Sequence, residues 1–120
     1  QVVDKVSIED TLHGIGVKTV ENVNPLHLQE AIDCVKRVAV QDGVKAIIFK
    51  SPCAVLIKSG KPAQIEESKC IQCKKCIRTL GCPAIMLQDG KVQIEQALCT
   101  GCGLCAQVCP TAAIGGACHA

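Results

Sequence analysis

Two stretches decide the reading of this chain of 120 residues: CIQCKKCIRTLGCPAI, residues 70–85, and CTGCGLCAQVCPTAAI, residues 99–114. Each sets three cysteines two residues apart and then a Cys-Pro pair, and the second copy begins 29 residues after the first. Repetition at a fixed period marks two copies of one structural unit. Between them IMLQDGKVQI, residues 85–94, alternates apolar and polar residues around Asp89-Gly90. That dipeptide takes the left-handed backbone that a two-residue hairpin turn needs, so a hairpin is predicted there.

Three thiolates at this spacing wrap one face of a four-iron cubane, and the fourth iron needs a ligand from elsewhere in the chain. In the two-cluster arrangement the cysteine before proline serves the other cluster. One 4Fe-4S cluster is then expected on Cys70, Cys73, Cys76 and Cys109, and a second on Cys99, Cys102, Cys105 and Cys82. Zinc also takes four thiolates, but its ligands usually come as two separated pairs. A disulfide framework fits worse, because 11 cysteines is an odd number and nothing points to secretion. The copies differ in one respect: five residues separate Cys76 from Cys82, against three between Cys105 and Cys109. Either the first loop bulges or the ligand exchange is rearranged there, which makes Cys82 the least certain ligand of the eight.

Phe49 is the chain's one aromatic residue, so an aromatic-rich core cannot hold this half together. Metal ligation is expected to contribute the folding energy instead, leaving the metal-free form largely unfolded. Ile71, Ile77, Leu80, Ile85, Leu98, Leu104, Val108 and Ile114 are expected to shield the clusters, with Gly101 and Gly103 giving backbone room.

Upstream the texture changes. Ser7 and Asp10 mark a helix start, with Ile8, Leu12 and Ile15 on one face and Gly14 or Gly16 ending it. Val17 to Val23 alternates as a short strand until Asn24-Pro25. Leu26, Ala31, Ile32, Val35 and Val38 then recur at helical spacing up to Asp42-Gly43, and Val44 to Lys50 reads as a buried strand. Helix, strand, helix, strand is an α/β rhythm, but two strands are too few for an independent doubly wound domain. The opening at Gln1 reads as cut from something longer. SGKPAQIEES, residues 59–68, has linker chemistry, which sets the expected domains at 1–66 and 67–120 and the class as α+β.

Other features point away from several functions. Residues 1–66 carry eight basic and eight acidic side chains, and residues 67–120 carry five and three, so neither half resembles a nucleic-acid binder. No apolar run is long enough for a membrane helix and no secretory signal opens the chain, so a cytoplasmic protein is expected. Cys34 lies on a helix face and reads as core, Cys53 as a redox candidate without a partner base, and Cys118 as incidental. His13, His27 and His119 are scattered. Lys69, Lys74, Lys75 and Arg78 crowd the first cysteine loop, either as a solvated rim or as a docking patch for an acidic electron carrier.

FKSPCAVLI, residues 49–57, followed by the two cysteine stretches, resembles the C-terminal end of the large subunit of indolepyruvate:ferredoxin oxidoreductases. The resemblance rests on Ser51-Pro52-Cys53, on Gly81-Cys82-Pro83-Ala84-Ile85 and on domain order, and covers nearly the whole chain. It implies an α/β fragment of a thiamine-diphosphate domain followed by a ferredoxin domain with two 4Fe-4S clusters. It further implies oxidative decarboxylation of an aryl 2-oxoacid with coenzyme A, and electrons passed singly to an external acidic ferredoxin. A smaller oxidoreductase subunit is the implied partner, and thiamine diphosphate and magnesium belong to the missing upstream part. The Gly-Asp-Gly motif of thiamine enzymes is absent, and Asp42-Gly43 and Asp89-Gly90 sit in turn contexts, so no catalytic residue is expected here. The competing expectations are a free-standing ferredoxin-type carrier docked by its first half, and the ferredoxin part of another 2-oxoacid oxidoreductase.

Overall fold

The structure, a computed structural model, describes residues 5–53 and 60–116. Cys118, His119, residues 54–57 of the quoted FKSPCAVLI and Ser59, the first residue of the expected linker, lie outside the described residues. The chain forms two compact units, Gln1–Ser51 and Pro52–Ala120.

In the first unit, α1 (Ile8–Gly14) starts where Ser7 accepts a hydrogen bond from the Asp10 N–H at 3.1 Å, the expected cap. After β1 (Thr19–Val23), Asn24 accepts from the Leu26 N–H at 3.0 Å, and this side-chain turn with Pro25 redirects the chain into α2 (Leu28–Ala39). Gly43, at φ +82°, turns it again into β2 (Lys45–Phe49), which pairs parallel with β1 from Thr19↔Lys45 to Val23↔Phe49. The buried stripe of α2 is Ala31, Cys34 and Val38, residues spaced three and four apart. Cys34 is therefore core, as expected, whereas Ile32 and Val35 stand on the flank and are 37% and 42% exposed. The expected face of α1 is not covered: Ile8 is 64% and Ile15 74% exposed. The two strands have no fully buried residue.

In the second unit the described residues form two antiparallel ladders and two short helices. β3 (Gln64–Ile65) pairs with β6 (Ile114–Gly115), and β4 (Ile85–Gln88) pairs with β5 (Lys91–Ile94). Asp89 at φ +50° and Gly90 at φ +79° close the predicted hairpin with both turn residues left-handed. α3 (Lys75–Leu80) and α4 (Leu104–Val108) pack against each other. One expectation is corrected here: residues 60–66 are not linker. Gln64 and Ile65 are paired with the far end of the unit, the Glu66 N–H donates to Ala113 O at 2.7 Å, and Ala63 is 5% exposed. The division at Ser51 accordingly lies upstream of the expected boundary at residue 66. The class is α+β, with short elements throughout.

Candidate metal centres

Each ladder of the second unit joins the strand leading into one cysteine triplet to the strand leaving the other Cys-Pro pair. β3 leads into Cys70 and lies beside β6, which follows Cys109-Pro110. β5 leads into Cys99 and lies beside β4, which follows Cys82-Pro83. The crossed pairing carries each proline-linked cysteine to the opposite triplet. Cys70, Cys73, Cys76 and Cys109 line one hollow of about 20 Å³, with Ile65, Val92 and Ile114 in its wall. Cys82, Cys99, Cys102 and Cys105 line another of about 230 Å³, walled by Ala63, Leu80, Ile85, Ile94 and Leu98.

The unequal spacing that made Cys82 doubtful is absorbed locally. From the third cysteine to the buried Ala-Ile pair is eight residues in both copies, Cys76 to Ala84 and Cys105 to Ala113. Ala84 and Ala113 are each 1% exposed, and their carbonyls accept from the Glu95 and Glu66 N–H groups at 2.8 and 2.7 Å. Only the Cys-Pro pair slides within this fixed length. In the first copy the helix is six residues long, ends at left-handed Gly81 (φ +56°) and is followed at once by Cys82. In the second the helix is five residues and Cys109 itself is its extended C-cap, the slack returning as a turn through Ala112 at φ +49°. Both pairs open a β-turn, with Cys82 O accepting from Ile85 N–H at 3.1 Å and Cys109 O from Ala112 N–H at 3.3 Å.

The triplet loops share one backbone form. Gln72 and Lys74 in the first, and Gly101 and Gly103 in the second, occupy matched positions at φ +54°, +58°, +69° and +77°. Glycine takes this conformation without strain, whereas the first loop accepts it at non-glycine residues, at a cost of about 1–2 kcal/mol each. Gln72 offsets part of that cost, because its Oε1 accepts from the Val92 N–H at 2.9 Å and ties the loop to β5. At Gly101 no side chain fits at all: a Cβ would meet the carbonyl oxygens of Gly60 and Lys61 at 2.9 Å.

Electrostatics couples some of the thiols within each group. Burial pushes the Cys76 thiol up, and charge on Cys73 and Cys109 adds to the shift. Cys105 is pushed up to about 11, first by burial and then by Cys102 and Cys99. Burial also acts to raise Cys109, but the Thr111 hydroxyl and the N–H groups of Thr111, Ala113 and Ile114 outweigh it and hold the thiol below its ordinary value. The Ala113 N–H reaches Cys109 Sγ at 3.3 Å and the Ala63 N–H reaches Cys99 Sγ at 3.3 Å. Among the described residues no three His, Cys, Asp or Glu side chains gather as a single bound ion requires. The thiols stand around hollows instead, and four thiolates with N–H donors and apolar walls are the donor set an iron–sulfur cubane takes.

Of the shielding residues, Ile85, Val108 and Ile114 are buried, while Ile71 and Leu98 line the hollows yet remain 66% and 53% exposed. Cys53 is exposed. His13 and His27 are engaged locally, His13 with Val17 O at 3.0 Å and His27 with Glu30 at 3.2 Å. The parts of the site that sequence reasoning missed are Ala63 and the strand after it. Their signal was present: Gln64-Ile65-Glu66 and Gln93-Ile94-Glu95 also stand 29 residues apart, so the repeat begins before its first cysteine. No described helix is long and apolar enough to cross a membrane.

Residues 63–115 match the family described as a 4Fe-4S dicluster domain. The chain is 39% identical over 115 residues to the indolepyruvate oxidoreductase subunit IorA of Archaeoglobus fulgidus, covering 91% of this chain and 18% of that protein. It is 37% identical over 111 residues to the IorA subunit of Methanothermobacter marburgensis, again over 91% of this chain and 18% of the relative. The pyruvate synthase subunit PorD of the same organism is 42% identical over 50 residues, covering 42% of this chain and 58% of its own length. The chain thus spans about a fifth of the IorA relatives it matches. The IorA similarity runs through both compact units into the relatives' C-terminal region. This chain is accordingly similar to the C-terminal region of indolepyruvate oxidoreductase subunit IorA, and its residues 63–115 match a 4Fe-4S dicluster domain.

Proposed function

We propose that this chain is the electron-transfer segment of a cytoplasmic indolepyruvate-type 2-oxoacid oxidoreductase that delivers electrons to an acidic ferredoxin. The observation that carries the proposal is the crossed pairing of β3 with β6 and β4 with β5, which is compatible with two separate rings of four cysteines, each lining its own hollow. In this reading Cys70, Cys73, Cys76 and Cys109 hold one 4Fe-4S cluster and Cys82, Cys99, Cys102 and Cys105 hold the other. Bound clusters supply one-electron redox chemistry at low potential. The chain's own part is to hold the thiolates in place, to donate N–H groups of Ala63 and Ala113 to cysteine sulfur, and to keep water from the second ring with Ala63, Ala84 and Ile85. Lys74, Lys75 and Arg78 give the first ring a basic rim suited to an acidic carrier.

The first unit supports placement in a larger enzyme. A parallel two-stranded sheet ordinarily lies between covering layers, yet Phe49 is 53% and Val44 75% exposed beside it. The reading assigns it to the α/β layer of a thiamine-diphosphate domain, with thiamine diphosphate, magnesium, the decarboxylation site and the contact to a smaller subunit in the rest of the protein. The PorD similarity covers 42% of the chain, so it bears on the ferredoxin part; the IorA similarity reaches the first unit as well and favours the indolepyruvate reading.

Anaerobic reconstitution with iron and sulfide tests the proposal. About eight irons per chain and an EPR spectrum of two interacting reduced clusters are expected. One zinc per four cysteines, with no redox signal, would overturn it.

A further inference from the structure

The internal repeat contains its own control for charge. Four positions around the first triplet are basic, and the residue 29 places later is neutral at every one: Lys69 and Leu98, Lys74 and Gly103, Lys75 and Leu104, Arg78 and Gln107. Because the two loops share the same left-handed backbone at matched positions, these side chains start from equivalent places around their own rings. Arg78 donates from Nη2 to Cys73 O at 3.0 Å, and Lys74 lines the first hollow. Of the nearby acids, Glu66 pairs with Lys69 at 2.6 Å and Glu67 lies 3.9 Å from Lys91, so the charges of Lys74, Lys75 and Arg78 are not matched by either.

Around the second ring the described wall contains no Lys, Arg, Asp or Glu. Exposure differs at one matched position: Cys73 is exposed and Cys102 half-buried, whereas the third cysteines, Cys76 and Cys105, are equally buried. Hydrogen bonds to sulfur do not reverse the difference, with the Ala113 N–H and the Thr111 hydroxyl at Cys109 against the Ala63 N–H at Cys99. Reduction adds one negative charge to a site. Nearby cations and solvent favour that charge, and an apolar wall opposes it.

We propose that Lys74, Lys75 and Arg78 make the ring of Cys70, Cys73, Cys76 and Cys109 the site of higher reduction potential, so that a single electron held by the chain resides mainly there, beside the exposed basic loop. This rests on the two rings being cluster sites. It adds a direction to the module: the apolar ring is the inlet side, and the basic ring is the side that faces a partner.

The test is one-electron reduction of the reconstituted full chain with dithionite, followed by NMR of the half-reduced sample with the cysteine β-protons assigned residue by residue. Paramagnetic shifts of Cys73 and Cys102 report where the electron sits. In the unsubstituted chain it should lie mainly at the Cys73 ring, and 1 M salt should weaken the preference by screening exposed charges. The triple variant Lys74→Gly, Lys75→Gln, Arg78→Gln should move the distribution toward the Cys102 ring by about tenfold, which is 59 mV for one electron. Gln107→Arg, adding one cation at the matched place, should move it the same way by about twofold. An electron distribution that neither the triple variant nor salt changes overturns the proposal. Failure to bind about eight irons would instead overturn the cluster sites themselves, so the two failures are distinguishable.

Discussion

The two compact units solve the burial problem by different means. The first relies on one helix stripe, Ala31, Cys34 and Val38, laid on two parallel strands, and leaves Ile8, Ile15, Val44 and Phe49 in contact with solvent. The second buries Ile85, Val92, Val108 and Ile114, each 5–7% exposed. Its most buried described residues are small, Ala84 and Ala113 at 1% exposed, and Ala63 and Ala84 wall the hollow of Cys82, Cys99, Cys102 and Cys105. Amphipathic packing therefore holds the first unit, and ladders crossing between metal-binding loops hold the second. They should fail under different insults.

Removing iron gives the largest expected effect. With the clusters chelated out under oxidising conditions, the second unit loses the ligation that contributes its folding energy. Hydrogen exchange should then show full loss of protection at β3 to β6, while amides of α2, β1 and β2 keep theirs. Parallel loss in both units would erase the distinction.

Gly101→Ala is expected to come next, at about 2–4 kcal/mol, because it combines left-handed backbone strain with a Cβ pressed 2.9 Å from the Gly60 and Lys61 carbonyls. The segment at residues 60–63 must lift, and with it the Ala63 N–H that donates to Cys99. Denaturation midpoints of the holo chain, together with slower iron uptake at the second ring, measure this. The matched change in the first copy, Gln72→Gly, should cost less than about 1 kcal/mol, since relief of strain at φ +54° offsets the lost bond to Val92.

Much of this was legible in the sequence, for identifiable reasons. The eight cysteines, the Asp89-Gly90 turn and the Ser7 cap are local patterns whose chemistry travels with a few adjacent residues. The role of residues 60–66 was not, because Gly60 and Pro62 are common in linkers and the partner of Gln64 in β3 lies 51 residues away at Gly115. Only the second Gln-Ile-Glu, at 93–95, betrays a strand there. The place of Cys82 was likewise hidden: counting from Cys76 shows an irregular gap, whereas counting to Ala84 and Ala113 shows a constant one. The exposure of Ile8 and Ile15 also escaped, since periodicity says which face is apolar and nothing about what covers it.

The smaller effects sharpen what holds the first unit. Val38 is 2% exposed and is the largest fully buried side chain described, so Val38→Ala should cost about 1–3 kcal/mol and loosen α2 from the strands, without altering iron content. The same helix also reaches β1 through Arg37 and Glu21 at 3.0 Å, but those side chains are 58% and 36% exposed. Water screens the pair, and holding two long side chains in one geometry costs entropy, so Glu21→Gln should change stability by less than about 0.5 kcal/mol. Thermal unfolding of the first unit at low and high salt distinguishes the two contributions. The Val38 effect should be the same in both, and the Glu21 effect should vanish in high salt. If Glu21→Gln instead matched Val38→Ala, the first unit would be held by charge, and amphipathic packing could no longer be what separates it from the second.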